Sequence, residues 1–230
     1  YTAVDKAENE PELSNKVNFL AVQYLAEAAK LYDCKFIHIS TDYVFDGNSY
    51  KPYNENDKPN PQSVYGSSKL SGELVLKNNS YKDTIIIRTS WVYSSFGNNF
   101  VKTMLRLGNE RQELGIISDQ VGTPTFAGDL AKTILKILPK IKNNEVEIFH
   151  YSNEGICSWF DFAKAIFENT NTNCKVNSIS TLQYPTPAKR PMYSVLDKSK
   201  IKDIFQITIP YWRDSLKECL TNMPNQKTTY

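Results

Sequence analysis

Apolar residues recur along the first part of the chain at more than one period, and each change of period marks a new element. From Pro11 to Tyr32, Leu13, Val17, Leu20, Tyr24, Ala28 and Leu31 fall at helical spacing, with Pro and Glu in the first turn, where helix starts favour them. This pattern predicts an amphipathic helix. Lys35-Phe36-Ile37-His38-Ile39, closed by Ser40-Thr41-Asp42, reads instead as a short strand ending in a polar loop. Residues 43–62 carry Asp46-Gly47-Asn48, Pro52, Pro59 and Pro61, turn formers that predict an irregular excursion. A second helix runs from about Tyr65 to Lys77. Thr84-Ile85-Ile86-Ile87-Arg88 is then a near-continuous β-branched run, suited to a strand buried on both faces.

Two strands flanking one helix predict a right-handed crossover with parallel strands. Their ends, Ser40-Thr41-Asp42 and Thr89-Ser90-Trp91, then share the sheet edge where ligands of open α/β sheets bind. Further on, the pattern predicts a helix from Asn98-Asn99-Phe100 to about Glu110 and a weaker strand at Leu114-Gly115-Ile116-Ile117. A helix from Phe126 to Leu138 follows, then a strand at Glu147-Ile148-Phe149-His150-Tyr151 able to return to the main sheet. Ser158 caps a helix carrying Trp159, Phe162, Ala163, Ile166 and Phe167, and a Pro-rich segment from Tyr184 to Pro191 precedes two short helices. The expected fold is α/β, a Rossmann-like parallel sheet with a smaller C-terminal substrate-binding lobe. Residues 1–92 and 120–150 form the partial Rossmann unit, and residues 93–119 and 151–230 the lobe.

Composition narrows the possibilities. The chain has 230 residues, 40% of them hydrophobic, enough for one large domain or two small ones. A net charge of +2, with both signs interspersed, gives no broad basic face for nucleic acid. No apolar run approaches the ~18 residues of a membrane span, and the N-terminus lacks a signal-peptide layout, so a soluble cytoplasmic protein is expected. Cys34, Cys157, Cys174 and Cys219 form no Cys-x-x-Cys pair, and His38 and His150 sit in apolar runs. Reduced thiols and buried or edge imidazoles are expected, and no metal site. The sequon Asn78-Asn79-Ser80 reads as the close of a helix.

Candidate chemistry centres on Val64-Tyr65-Gly66-Ser67-Ser68-Lys69. On a helix, Tyr65 and Lys69 lie one turn apart on one face, so an ammonium can sit near a phenol and favour proton donation to a carbonyl oxygen. Among fourteen tyrosines, about one Tyr-x-x-x-Lys match arises by chance, so the neighbours decide its meaning. Thr41 and Asp42 after one strand and Trp91 after the next converge on the same edge. A strand-end hydroxyl beside a tyrosine can hydrogen-bond one substrate oxygen, and Lys69 can reach a ribose. Carbonyl reduction also needs hydride, which no side chain supplies, so a nicotinamide cofactor is expected.

Ser40-Thr41-Asp42-Tyr43-Val44-Phe45-Asp46-Gly47 together with Val64–Glu73 resembles the extended short-chain dehydrogenase/reductases, and within them the dTDP-4-dehydrorhamnose reductases. Tyr1–Glu8, Arg88–Tyr93, Gly97–Phe100, Asp119–Thr125 and Tyr184–Pro191 fit the same pattern. The resemblance implies reduction of a dTDP-4-keto sugar by NADPH or NADH. In that role Tyr65 protonates the C4 oxygen, Lys69 tunes Tyr65 and binds the nicotinamide ribose, and Thr41 bonds the keto oxygen. Asp42 and Trp91 contact the sugar, Thr2 and Val4 lie beside the cofactor, and Asn99 and Arg190 are candidates for the diphosphate. A homodimer is compatible with the family. A non-catalytic binding relative, or a sugar-nucleotide epimerase or dehydratase, are the alternatives. The chain departs from the family in having no Gly-x-Gly-x-x-Gly turn after an early strand, and it begins abruptly at Tyr1. The expectation is an N-terminal truncation of roughly sixty residues by comparison with the family, leaving a bared sheet edge and weak NADPH binding by these residues alone.

Overall fold

The computed structural model describes residues 1–79 and 81–223. After a short helix α1 (Val4–Ala7), α2 (Pro11–Asn15) runs through a π-helical turn at Lys16–Leu20 into α3 (Ala21–Leu31). Strand β1 (Phe36–Thr41), helix α4 (Val64–Asn78) and strand β2 (Thr84–Thr89) make the expected crossover. β1 and β2 are parallel in a register from Phe36 opposite Thr84 to Thr41 opposite Thr89, so the two threonines end side by side. Beyond them come β3 (Val92–Tyr93), α5 (Phe100–Glu110), β4 (Glu113–Ile117), β5 (Val121–Gly122), β6 (Thr125–Phe126) and α6 (Ala127–Ile137). β7 (Glu147–His150) returns parallel to β2, giving the order β1-β2-β7. The chain continues through β8 (Cys157–Ser158), α7 (Trp159–Thr170), β9 (Lys175–Ile179), α8 (Ser199–Phe205) and α9 (Trp212–Thr221). β4 pairs parallel with β9, and the two-residue strands pair β3 with β6 and β5 with β8.

Strand alternation explains the cores. All six residues of β2 are buried. Ile85 and Ile87 face one side of the sheet, with Leu130 and Ile137 of α6, Phe149 of β7 and Ile201 and Phe205 of α8. Ile86 faces the other, with Val22 and Ala26 of α3 and Leu76 of α4. A separate core lies between α5, α7 and α9, built on Met104, Phe162, Ile166, Trp212 and Leu216. Ser158 closes a capping box with Asp161 at the start of α7, as its position before the apolar run implies. α4 ends at Asn78, where the sequon was expected to close a helix; Ser80 and residues 224–230 lie outside the described residues. Among the described residues no helix is long and apolar enough to cross a membrane.

The helix over Pro11–Leu31 forms where expected, but its apolar stripe points outward. Leu13, Val17, Leu20, Tyr24, Ala28 and Leu31 are exposed, and Ser14, Asn18, Val22 and Ala26 are buried instead. Hydrogen bonding reverses the expected face. Ser14 Oγ lies 2.8 Å from Ser68 Oγ of α4, and Asn18 Nδ2 donates to Ser68 Oγ at 3.0 Å and to the Tyr1 carbonyl at 3.1 Å. Small and polar side chains let the helices approach until a Cβ on Gly72 would collide with the Asn18 carbonyl oxygen. Gly72→Ala is therefore expected to cost about 1–3 kcal/mol by forcing α4 off the π-helical turn. Urea unfolding measures this, and an unchanged midpoint would mean that the close approach is not needed.

Candidate active site

Capping places the central tyrosine. Thr41 ends β1 and caps a 3₁₀ turn over Asp42–Val44, its Oγ1 accepting the Tyr43 N–H at 3.2 Å. Ser63 caps α4, its Oγ accepting the Gly66 N–H at 3.1 Å. Gly66 lacks the Cβ that would strike the Tyr43 carbonyl, so the first turn of α4 lies directly against the turn after β1. Tyr65 is consequently 9% exposed, with the Tyr43 ring edge-on to it at 5.5 Å between centroids.

Burial pushes the Tyr65 phenol up to about 12, opposed by the Thr41 hydroxyl beside it and reinforced by the nearby Asp42 and Tyr43. Lys69 is one turn further on. Its Nζ donates to the Ile39 carbonyl at 2.6 Å and lies 3.5 Å from His38 Nε2. Burial brings this ammonium down to about 8, with Glu73 opposing the shift. Burial also pulls His38 and His150 down to about 3, so both imidazoles are neutral. Asp42 is 2% exposed and accepts from Thr41 Oγ1 at 3.0 Å, and burial raises its carboxyl to about 6.

The other end of the site is aromatic. Trp91 holds a left-handed backbone, φ 47°, which is unusual for a bulky residue. Its neighbours are anchored: Ser90 Oγ donates to the Thr123 carbonyl at 2.8 Å, and the Trp91 carbonyl accepts the Thr125 N–H at 3.2 Å. The indole stacks on Trp159 at the start of α7, 3.6 Å between centroids and 10° from parallel. A cleft of about 490 Å³ opens beside Trp159, walled by Phe100 and Leu107 of α5, Ile116 of β4, Arg111 and Arg190.

The expected residues take different positions. Thr41, Asp42, Tyr65 and Lys69 come together at the sheet edge. Arg190 lines the cleft and reaches back to them, Nη1 donating to Tyr43 Oη at 3.0 Å and Nη2 to Asp5 Oδ2 at 2.7 Å. Thr2 is exposed and Val4 half-buried at the start of α1, in the segment that Asp5 ties to Arg190. Asn99 caps α5, accepting from Lys102 N–H at 3.2 Å and donating to the Ser94 carbonyl at 2.7 Å. Its amide is thereby engaged locally.

Sequence reasoning missed the braces behind the site. Glu73, two turns past Tyr65, and Arg88 of β2 form a buried ion pair at 2.6 Å, and Ser40 Oγ donates to the same carboxylate at 2.5 Å. A charged residue inside the apolar run of β2 was the available signal, because a buried charge has to be paired. Trp159, stacked on Trp91, and Ser194, which faces Asp42 from the segment before α8, carried no local signal, since each enters the site only through tertiary packing.

A phenol and a hydroxyl poised on one edge of a parallel α/β sheet suit the reduction of a carbonyl, the chemistry of the short-chain dehydrogenase/reductases. Known proteins narrow that class. The family model described as the RmlD substrate binding domain matches residues 1–225, and the chain belongs to this family of sugar-nucleotide oxidoreductases. The dTDP-4-dehydrorhamnose reductase of Aggregatibacter actinomycetemcomitans is 46% identical over 226 residues, covering 94% of this chain and 76% of the relative. The crystal structure of a dTDP-4-dehydrorhamnose reductase from Clostridium acetobutylicum superposes with a TM-score of 0.90 at 43% identity, over 96% of this chain and 77% of that one. One from Bacillus anthracis, in complex with NADP, gives 0.91 at 38% identity with the same coverage.

Proposed function

We propose that the protein reduces dTDP-4-dehydro-L-rhamnose to dTDP-L-rhamnose with NADPH, the last step of dTDP-rhamnose synthesis, and that Tyr65 donates the proton. The observation that carries this reading is the buried Tyr65 phenol beside the Thr41 hydroxyl at the sheet edge. A phenol held near 12 stays protonated at every physiological pH, so the donor is always loaded. An alkoxide is a far stronger base than a phenolate, so proton transfer to a forming C4 alkoxide runs downhill even from this raised value.

Lys69 fits a ribose. An ammonium carries three donors, and the Ile39 carbonyl takes one of them, with His38 Nε2 3.5 Å away. NADPH, when bound, supplies the hydride to C4. Thr2 and Val4 would lie beside the cofactor. Trp91 and Asp42 would face the hexose, and the cleft under Arg190 would take the nucleotide, with its guanidinium and the Asn99 end of α5 toward the diphosphate. On this reading residues 1–92 and 120–150 form the cofactor and catalytic unit, and residues 93–119 and 151–230 hold the sugar nucleotide.

The test is NADPH oxidation driven by dTDP-4-dehydro-L-rhamnose, followed with NADH in parallel and with free dTDP as a competitor. The expected result is turnover that requires the sugar nucleotide and is inhibited by dTDP. Turnover of simple ketones at the same rate, insensitive to dTDP, would remove the sugar-nucleotide assignment.

A further inference from the structure

Thr41 has one hydroxyl hydrogen, for which Asp42 Oδ1 competes with the Tyr65 phenol. Thr41 Oγ1 accepts the Tyr43 N–H at 3.2 Å, and in this structure its hydrogen goes to Asp42 Oδ1 at 3.0 Å. A hydroxyl so committed cannot also donate to a substrate oxygen. The other oxygen of the carboxyl, Asp42 Oδ2, is fully buried and has no hydrogen-bond partner among the described residues. A buried carboxylate with an orphaned oxygen is an expensive arrangement, whereas a neutral acid at the same place is a cheap one.

We propose that Asp42 is a positioning residue that works as a neutral carboxylic acid: its own O–H donates to Thr41 Oγ1 and so turns the Thr41 hydrogen toward the substrate carbonyl beside Tyr65. This rests on the reductase reading above. In the neutral state the hydrogen bonds at Thr41 balance, and the partnerless Asp42 Oδ2 carries no charge. Thr41 Oγ1 accepts from the Tyr43 N–H and from the Asp42 acid, which occupies both lone pairs, and its hydrogen is free for the ketone. With Asp42 ionised, its hydrogen is drawn back to the carboxylate and the ketone has Tyr65 alone.

The surroundings support this assignment. Burial dominates and lifts the Asp42 carboxyl to about 6, and the nearby groups that favour its charge, Ser194, Thr41 and the backbone of Asp42 and Tyr43, are all neutral. Tyr65 faces it from α4 and Tyr43 from its own turn, and both phenols are pushed up to about 12, so neither carries charge. From the segment before α8 it is Ser194 that faces it. No cation is among the groups that set its state, unlike Tyr43, whose neighbour is Arg190.

The test is the pH profile of kcat/KM for the ketone in the wild-type protein and in Asp42→Asn, whose amide N–H₂ can donate to Thr41 at every pH. The sign follows from the active form being the protonated one. Wild-type kcat/KM should be level below about 6 and fall about tenfold per pH unit above it, while Asp42→Asn, its plateau lowered by any altered hexose contact, should lack this limb. Parallel profiles, a wild-type rate that rises through this range, or an Asn variant as inactive as Tyr65→Phe would overturn the proposal. A carboxyl ¹³C NMR titration gives an arm independent of turnover. Thr41→Val removes a donor to the ionised form, so the Asp42 resonance should titrate at higher pH than in wild type; an unmoved resonance would refute the Thr41 link. Absence of NADPH oxidation at any pH under conditions where calorimetry shows NADPH bound would defeat the reductase reading, and the titration would then decide the Asp42–Thr41 claim by itself.

Discussion

Tyr65→Phe is expected to lower kcat for reduction of the sugar nucleotide by about two to four orders of magnitude, the usual contribution of a positioned acid, with KM little changed. The substitution removes one oxygen and keeps the ring, so the edge-on contact with Tyr43 and the packing against the turn after β1 remain. The neighbouring O–H groups are otherwise engaged: Tyr43 Oη is held by Arg190, and the Asp42 acid is directed to Thr41. The Thr41 hydroxyl is a far weaker acid than a phenol, and the Lys69 ammonium is turned to the Ile39 carbonyl. A variant with kcat within about threefold of wild type would take Tyr65 out of its assigned role.

The second large effect is on stability. Glu73 is 1% and Arg88 2% exposed. Arg88 Nε and Nη2 grip the carboxylate at 2.9 and 2.6 Å, and Ser40 adds a third donor. Removing one partner leaves an unpaired buried charge, so Glu73→Leu or Arg88→Met alone should cost about 3–5 kcal/mol in urea unfolding. The double variant should recover most of that loss, because two apolar side chains fill the space without the desolvation penalty. Single variants within about 0.5 kcal/mol of wild type would contradict this account. The brace joins α4, β1 and β2 one residue from Thr41 and one turn from Lys69. The recovered double variant should therefore still show a reduced kcat if the brace also aligns the site.

Much of this architecture was legible in the chain. The run Thr84–Arg88 suits a strand buried on both faces, and β2 is buried throughout. The turn formers after Asp42 and the helix expected from about Tyr65 placed the crossover and its edge correctly. Two kinds of feature were hidden. The orientation of the Pro11–Leu31 helix depends on Ser14, Asn18 and Gly72, whose hydrogen bonds and close approach outweigh the apolar stripe, and periodicity is blind to both. β9 was hidden because Lys175-Val176-Asn177-Ser178-Ile179 has weak strand formers and gains its ladder only from β4. Within the site, the residue types of Tyr65, Lys69 and Thr41 announced themselves. The contact from Arg190 to Asp5, and the orphaned oxygen of Asp42, exist only once distant segments meet.

The most direct measurement of the central claim follows the hydride itself. dTDP-4-dehydro-L-rhamnose is turned over with NADPH carrying deuterium at the transferred position, and the product sugar is examined by NMR. One deuterium per molecule at C4 of dTDP-L-rhamnose, with stoichiometric loss of NADPH, is the result a reductase must give. A product without deuterium, or conversion with no net consumption of NADPH as in an epimerase or dehydratase, would contradict it.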